Sequence, residues 1–159
     1  MNVLWLINIP VPEASVLWGQ QPSPYGGWLD NASHYLSVQE NVLLHIAYPY
    51  AGTHAYPVDT RRGQRIIYHA FAPILQEQSS ALQDVAAMNQ VLDAARPQIV
   101  HIFGTEFPHT LAMVNACRRR QIPVVIGIQG LVSFYVPHYM AGLPAFAQRR
   151  RSFRDIMRC

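Results

Sequence analysis

The chain has 159 residues, half of them apolar and only 13% charged; that suits one domain around a large buried sheet and excludes disorder. Its net charge of +3 is unevenly placed: there is no lysine, and the last eleven residues hold five arginines. Phosphate-loop, Schiff-base and kinase-type lysine chemistry is thereby removed, and the near-neutral middle argues against a general nucleic-acid surface.

Residues 3–9 read as an apolar strand, with no basic segment ahead of it, so no secretory signal is expected. Residues 10–25 read as a long loop containing Pro12, Pro22 and Pro24, and loops of that length are uncommon and often functional. The loop ends in Pro24-Tyr25-Gly26-Gly27-Trp28, and a helix through Leu29, Ala32 and Leu36 follows. Two glycines at a helix start either permit a tight turn or leave N–H groups open to an anion at the positive end of the dipole. Residues 41–48 form a second strand carrying His45, 49–63 a loop, and 64–71 a third strand. Ser80-Ala81-Leu82-Gln83 resembles a capping box, ahead of a helix marked by Leu82, Val85, Met88 or Asn89, Leu92 and Ala95. Pro97 ends it.

The stretch 97–135 organises the rest. Residues 99–103 are a short β-branched run, as expected for a strand covered on both faces. Gly104 frees the backbone, Thr105 can cap a helix, and Glu106 suits the positive end of its dipole. Pro108 falls in the first turn; Phe107, Leu111 and Val114 repeat at helical spacing, and Arg118, Arg119 and Arg120 complement the far end. Residues 124–128 are a second buried-strand run, and Gln129-Gly130 opens another loop. Such a unit implies parallel strands with ligands bound at their carboxyl ends, which puts Gly104-Thr105-Glu106 beside Gln129-Gly130 on one rim. The fold class expected is a three-layer, Rossmann-like α/β domain over residues 1–144 with a mostly parallel sheet. Residues 137–144 read as a loop. Residues 145–158 form a basic helix with Phe146, Phe153, Ile156 and Met157, open between a packed or solvated segment and contact with an acidic membrane surface. The chain stops at Cys159 with no helix stop, and a truncation is expected there.

The chemistry this leaves is that of a binding rim. His101, inside a strand, is either a satisfied core histidine or a ligand contact. Glu106 either accepts hydrogen bonds from a ligand or caps its helix. Gln129 and Gly130 suit a rim, and Tyr25, Trp28 and Phe134 either stack on sugar rings or pack. His109 and His138 stand isolated, and histidines without ligand spacing argue against a metal. Cys117 and Cys159 make no disulfide or metal spacing; Cys117 reads as a structural thiol in a reducing cytoplasm. No G-x-G-x-x-G fingerprint and no G-x-S-x-G elbow occurs, and no apolar run nears the roughly 20 residues that span a bilayer.

The first strand, the pair Gly26-Gly27, the run His101-Ile102-Phe103-Gly104-Thr105-Glu106 and Ile128-Gln129-Gly130-Leu131, in that order, resemble the amino-terminal domain of family 4 glycosyltransferases that build bacterial surface polysaccharide. The resemblance covers essentially the whole chain. It implies the amino-terminal half of a B-type two-domain transferase fold and retaining transfer from a nucleotide-sugar co-substrate, with no metal. It further implies that Gly26-Gly27 meets the donor diphosphate, and that Tyr25, Trp28, His101, Gly104, Thr105, Glu106, Gln129, Gly130 and Ser133 line the side facing a glycan or lipid-linked acceptor. Many relatives carry histidine where this chain has Gln129, whose amide can still bond a sugar hydroxyl. The donor domain is missing, so the chain alone is expected to be inactive, in the cytoplasm or at the membrane periphery. No catalytic residue is assigned. The alternatives are a non-catalytic module complementing a separate donor-binding chain, and an unrelated α/β ligand-binding domain.

Overall fold

The computed structural model describes residues 1–24, 26–52, 58–74, 81–128, 142–144 and 146, with the backbone alone for 81–84. The chain separates into Met1–Gln129 and Gly130–Cys159; the boundary expected at 144/145 falls in the second unit, and the basic helix expected over 145–158 lies, but for Phe146, outside the described residues. The fold is built in the first. In chain order it runs β1 (Asn2–Leu6), α1 (Pro12–Leu17), α2 (Gly27–Ser37), β2 (Leu43–Pro49), β3 (Asp59–Arg62), β4 (Ile67–Phe71), α3 (Ala81–Ala95), β5 (Ile99–Phe103), α4 (Pro108–Arg119) and β6 (Val124–Gly127). The six strands form one sheet in the order β3-β4-β2-β1-β5-β6, parallel throughout except for β3, which pairs antiparallel with β4. This is a Rossmann-like α/β domain, and the expected fold class holds.

Strand alternation divides the core in two. Leu4, Leu6, Ala47, Phe71, Val100 and Ile102 point to one face, where α3 and α4 cover them with Val85, Met88, Val91, Leu92, Met113 and Cys117. Val3, Trp5, Ile7, Leu44, Ile46, Tyr48, Tyr68 and Ala70 point to the other, under Val11, Ala14 and Trp18 from α1 and Leu29 from α2. β1 is central because it is apolar on both faces. Each fully buried Leu or Ile there stabilises the fold by roughly 1.5–3 kcal/mol.

Four expectations are corrected. The supposed loop 10–25 contains α1, which starts on Pro12 with Glu13 in its first turn, where the missing N–H and the acid are both tolerated. The supposed loop 49–63 ends in β3, and the third strand starts at Ile67 because Gly63 to Ile66 is the hairpin turn, closed by Gly63 N–H donating to Ile66 C=O at 2.9 Å. Helix α4 is N-capped by Phe107 with no side-chain cap, so Thr105 and Glu106 precede it instead of capping it. Its buried face is His109, Thr110, Ala112, Met113, Ala116 and Cys117, while Phe107 and Leu111 are 48% and 66% exposed. Small residues let α4 approach the sheet and α3, a face that an apolar repeat does not reveal. Finally, β6 is not a buried strand. It lies at the edge of the described sheet, and Val125 and Ile126 are 48% and 41% exposed. Ser80 of the supposed capping box lies outside the described residues; the helix it precedes is α3, with Val85, Met88, Leu92 and Ala95 buried as its periodicity requires.

Candidate functional site

From β1 the chain moves outward to β2 and β4, then α3 returns it across the sheet to β5 on the opposite side of β1. The connections leaving β1 and β5 therefore diverge, which makes the space beyond their carboxyl ends the candidate crevice, the usual ligand position in open α/β sheets. Asn8 to Pro10 leave β1 there and Gly104 to Glu106 leave β5. The rim is continuous with β6, because Gly104 N–H donates to Gly127 C=O at 2.9 Å.

The glycine pair sits at the same place. Gly26 is the N-cap of α2 in the left-handed region, φ +81°, and a Cβ built on it would stand 2.9 Å from Ile9 Cδ1. Both its conformation and its closeness to the end of β1 therefore require glycine. Gly27 has an ordinary φ, and a Cβ on it would meet nothing within 4 Å. No packing constraint accounts for Gly27. Trp28, one residue on, packs its ring 5.5 Å from Phe103 while remaining 52% exposed.

On the β5 side, Gly104 has φ +91° and is buried. A Cβ there would strike the Glu106 carboxylate, which folds back over the glycine, and would come within 3.1 Å of Asn8 Nδ2. Thr110 donates to Gly104 C=O at 3.2 Å, tying the loop to α4. Thr105 and Glu106 are exposed. His101 is half-buried, 4.0 Å from Phe103 and 6.1 Å from Trp5 between ring centroids, and burial holds it neutral by lowering its pKa. Trp28, Phe103 and His101 thus form a file of rings running from the rim down the sheet.

Asn8 and His109 also belong to this rim, and the sequence reading missed both. Asn8 Nδ2 donates to Phe103 C=O at 3.2 Å, and its Oδ1 lies 2.9 Å from His109 Nε2. His109 is buried, and desolvation pushes its pKa down to about 4. A histidine described as isolated in sequence is instead the support of the crevice floor. The only sequence signal is its place in the first turn of α4, directly after the glycine loop. Tyr25, Gln129, Gly130 and Ser133 lie outside the described residues.

Two other features stand apart from the rim. An open groove of about 730 Å3 lies between α1, α2 and the β3–β4 turn, lined by Glu13, Asp30, His34, Arg62, Arg65 and Tyr68 among others. Glu13 there already accepts from Tyr68 Oη at 2.7 Å and Gln64 N–H at 2.8 Å, so it anchors the hairpin. Under α3, His45 Nδ1 and His69 Nε2 are 2.9 Å apart, and His69 Nδ1 is 2.9 Å from Thr60 Oγ1. Among the described residues no group of three or more His, Cys, Asp or Glu side chains could hold a metal ion, and no helix is long and apolar enough to cross a membrane. No family model, curated protein or solved structure matches the chain, so what is established is the Rossmann-like α/β domain and its strand order.

Proposed function

We propose that the chain is the acceptor-binding, amino-terminal domain of a retaining glycosyltransferase that moves a sugar from a nucleotide-sugar donor to a glycan or lipid-linked acceptor. The observation that carries this reading is the convergence of two loops on one crevice: the Gly26-Gly27 start of α2, with Gly27 free of any packing constraint, and the Gly104-Thr105-Glu106 loop after β5. The first suits a diphosphate, through backbone N–H groups at a helix N-terminus. The second, with the ring of Trp28, suits a sugar acceptor. Basic groups on a separate donor-binding domain would complete the charge stabilisation, with no metal required. The full enzyme would work in the cytoplasm or at the membrane periphery, and nucleic acid is not a partner. A second reading, a non-catalytic module that docks on a donor-binding chain, draws support from the exposed Val125, Ile126 and Ile128 beside the rim.

Titration calorimetry with a panel of nucleotide sugars, run beside a transfer assay, tests the proposal. The expected result is no turnover and at most millimolar-range binding. Micromolar binding or turnover would mean that the site is complete within this chain and that the division of roles is wrong.

A further inference from the structure

Asn8 has an amide whose two ends are told apart by their partners. Nδ2 must be the nitrogen, because it faces the Phe103 carbonyl, so Oδ1 accepts and His109 Nε2 carries the proton. The imidazole that holds Oδ1 cannot swing away. It is buried, with the Phe107 ring stacked at 5.4 Å and the Phe71 ring edge-on at 5.6 Å. Among the described residues one N–H of Asn8 and one lone pair of its Oδ1 remain unused, on a side chain that is partly exposed at the mouth of the crevice. Beside them, the bare backbone of Gly104 separates the Asn8 amide from the Glu106 carboxylate, which makes no hydrogen bond or ion pair among the described residues.

We infer that Asn8 is a positioning and specificity residue of the crevice, locked by His109 and Phe103 so that it and Glu106 together take adjacent hydroxyls of a neutral, polyhydroxylated ligand. The inference rests on the proposed acceptor role of this rim and names the residue that sets it. A hydroxyl accepts from the free Asn8 N–H, and its neighbour donates to Glu106. A phosphate or carboxylate would meet the Glu106 charge, and an ammonium would meet the Asn8 N–H. Anionic ligand groups are therefore directed to the Gly26-Gly27 side.

The test is amide and imidazole nitrogen NMR of the 159-residue chain and its Asn8→Ala and Asn8→Asp variants, with methyl glucoside and inorganic pyrophosphate as separate probes. In the wild type, glucoside should shift the amides of Gly104 to Glu106, and His109 should show the Nε2–H tautomer. Asn8→Ala should weaken glucoside about tenfold or more, the loss of a hydrogen bond or two. Asn8→Asp keeps an acceptor for His109 and should keep its tautomer, yet glucoside binding should stay weak, which a purely structural role would not produce. Pyrophosphate shifts at Gly26 and Gly27 should survive in the Asn8→Ala variant. Undiminished glucoside binding by Asn8→Ala, or a His109 Nδ1–H tautomer in the wild type, overturns the inference. Pyrophosphate binding without any glucoside response overturns it while leaving the glycine-loop reading standing; no response to either probe sinks both.

Discussion

His109 and His69 are two imidazoles sealed to nearly the same degree, both neutral and both pushed down to about 4 by burial, with His45 reinforcing the shift on His69. What differs is where their hydrogen bonds lead. His109 bonds outward, to an Asn8 amide that still has capacity facing the crevice. His69 bonds inward, between Thr60 on the edge strand and His45 on β2, and the chain ends at His45 Nε2, which is buried with no partner among the described residues. Two tautomer patterns fit that chain. The one in which His45 Nδ1–H donates to His69, and His69 Nδ1–H to Thr60, leaves a bare lone pair at the end instead of an orphaned N–H. That is the less costly orphan. One imidazole therefore supports a binding surface, while the other closes a seam between strands.

Acid should strike both at once, with the largest effect. Each is a base whose folded pKa, about 4, lies below the usual 6.5, so the unfolded chain binds more protons between those values. Stability should be complete above about pH 6.5 and fall as pH drops toward 4, by roughly 3 kcal/mol per imidazole. Urea midpoints at pH 7.5, 5.5 and 4.5 would read this, and a flat profile would refute the buried neutral assignment. Breaking the seam alone comes next. His69→Leu should cost roughly 2–3 kcal/mol at pH 7, because Thr60 and His45 Nδ1 lose their partner, and should leave ligand-induced shifts at the rim untouched. At the rim, Asn8→Ala should cost roughly 1–2 kcal/mol through the stranded His109 N–H. Equal losses of rim binding in the two variants would erase the distinction between seam and support. Smallest is the contrast of adjacent glycines. Gly26→Ala should cost about 1 kcal/mol or more in thermal unfolding, given its left-handed φ and Ile9, while Gly27→Ala should stay within about 0.5 kcal/mol. If Gly27→Ala nonetheless weakens pyrophosphate, its role is at the ligand and not in the fold.

Strands apolar on both faces were legible from sequence as strands: β5 matches its expected 99–103, and β1 overlaps its expected 3–9 but starts one residue earlier and ends at Leu6. Helix α2 starts where the glycine pair marks it. Elements stabilised by partners far along the chain were not legible. β3 is Asp-Thr-Arg-Arg, with no strand pattern of its own, and exists because β4 pairs with it while Asp59 accepts from Trp18 Nε1 at 2.8 Å. Helix α1 is six residues long, too short for periodicity to register. At the site the glycines were visible because conformation constrains their type, and Thr105 and Glu106 do follow β5, though neither takes the helix-capping alternative that the sequence left open. Asn8 and His109 lie 101 positions apart, and only the adjacency of β1 and β5 brings them together.

The three tryptophans of the chain are unequally lit by solvent. Trp5 is buried against Phe103, and Trp18 is buried beneath the Arg61 guanidinium, 4.5 Å from its ring. Only Trp28 has half its surface in water, and it leans on Phe103 at the crevice mouth. A water-borne quencher such as iodide or acrylamide should therefore extinguish Trp28 emission first, and any molecule settling over the Gly104 loop should shield it and shift that emission to the blue. Trp18 fluorescence, clamped by Asp59 and Arg61, should change only when β3 peels from the sheet. The molecule thus carries two separable optical reporters, one of occupancy and one of edge fraying, without a label.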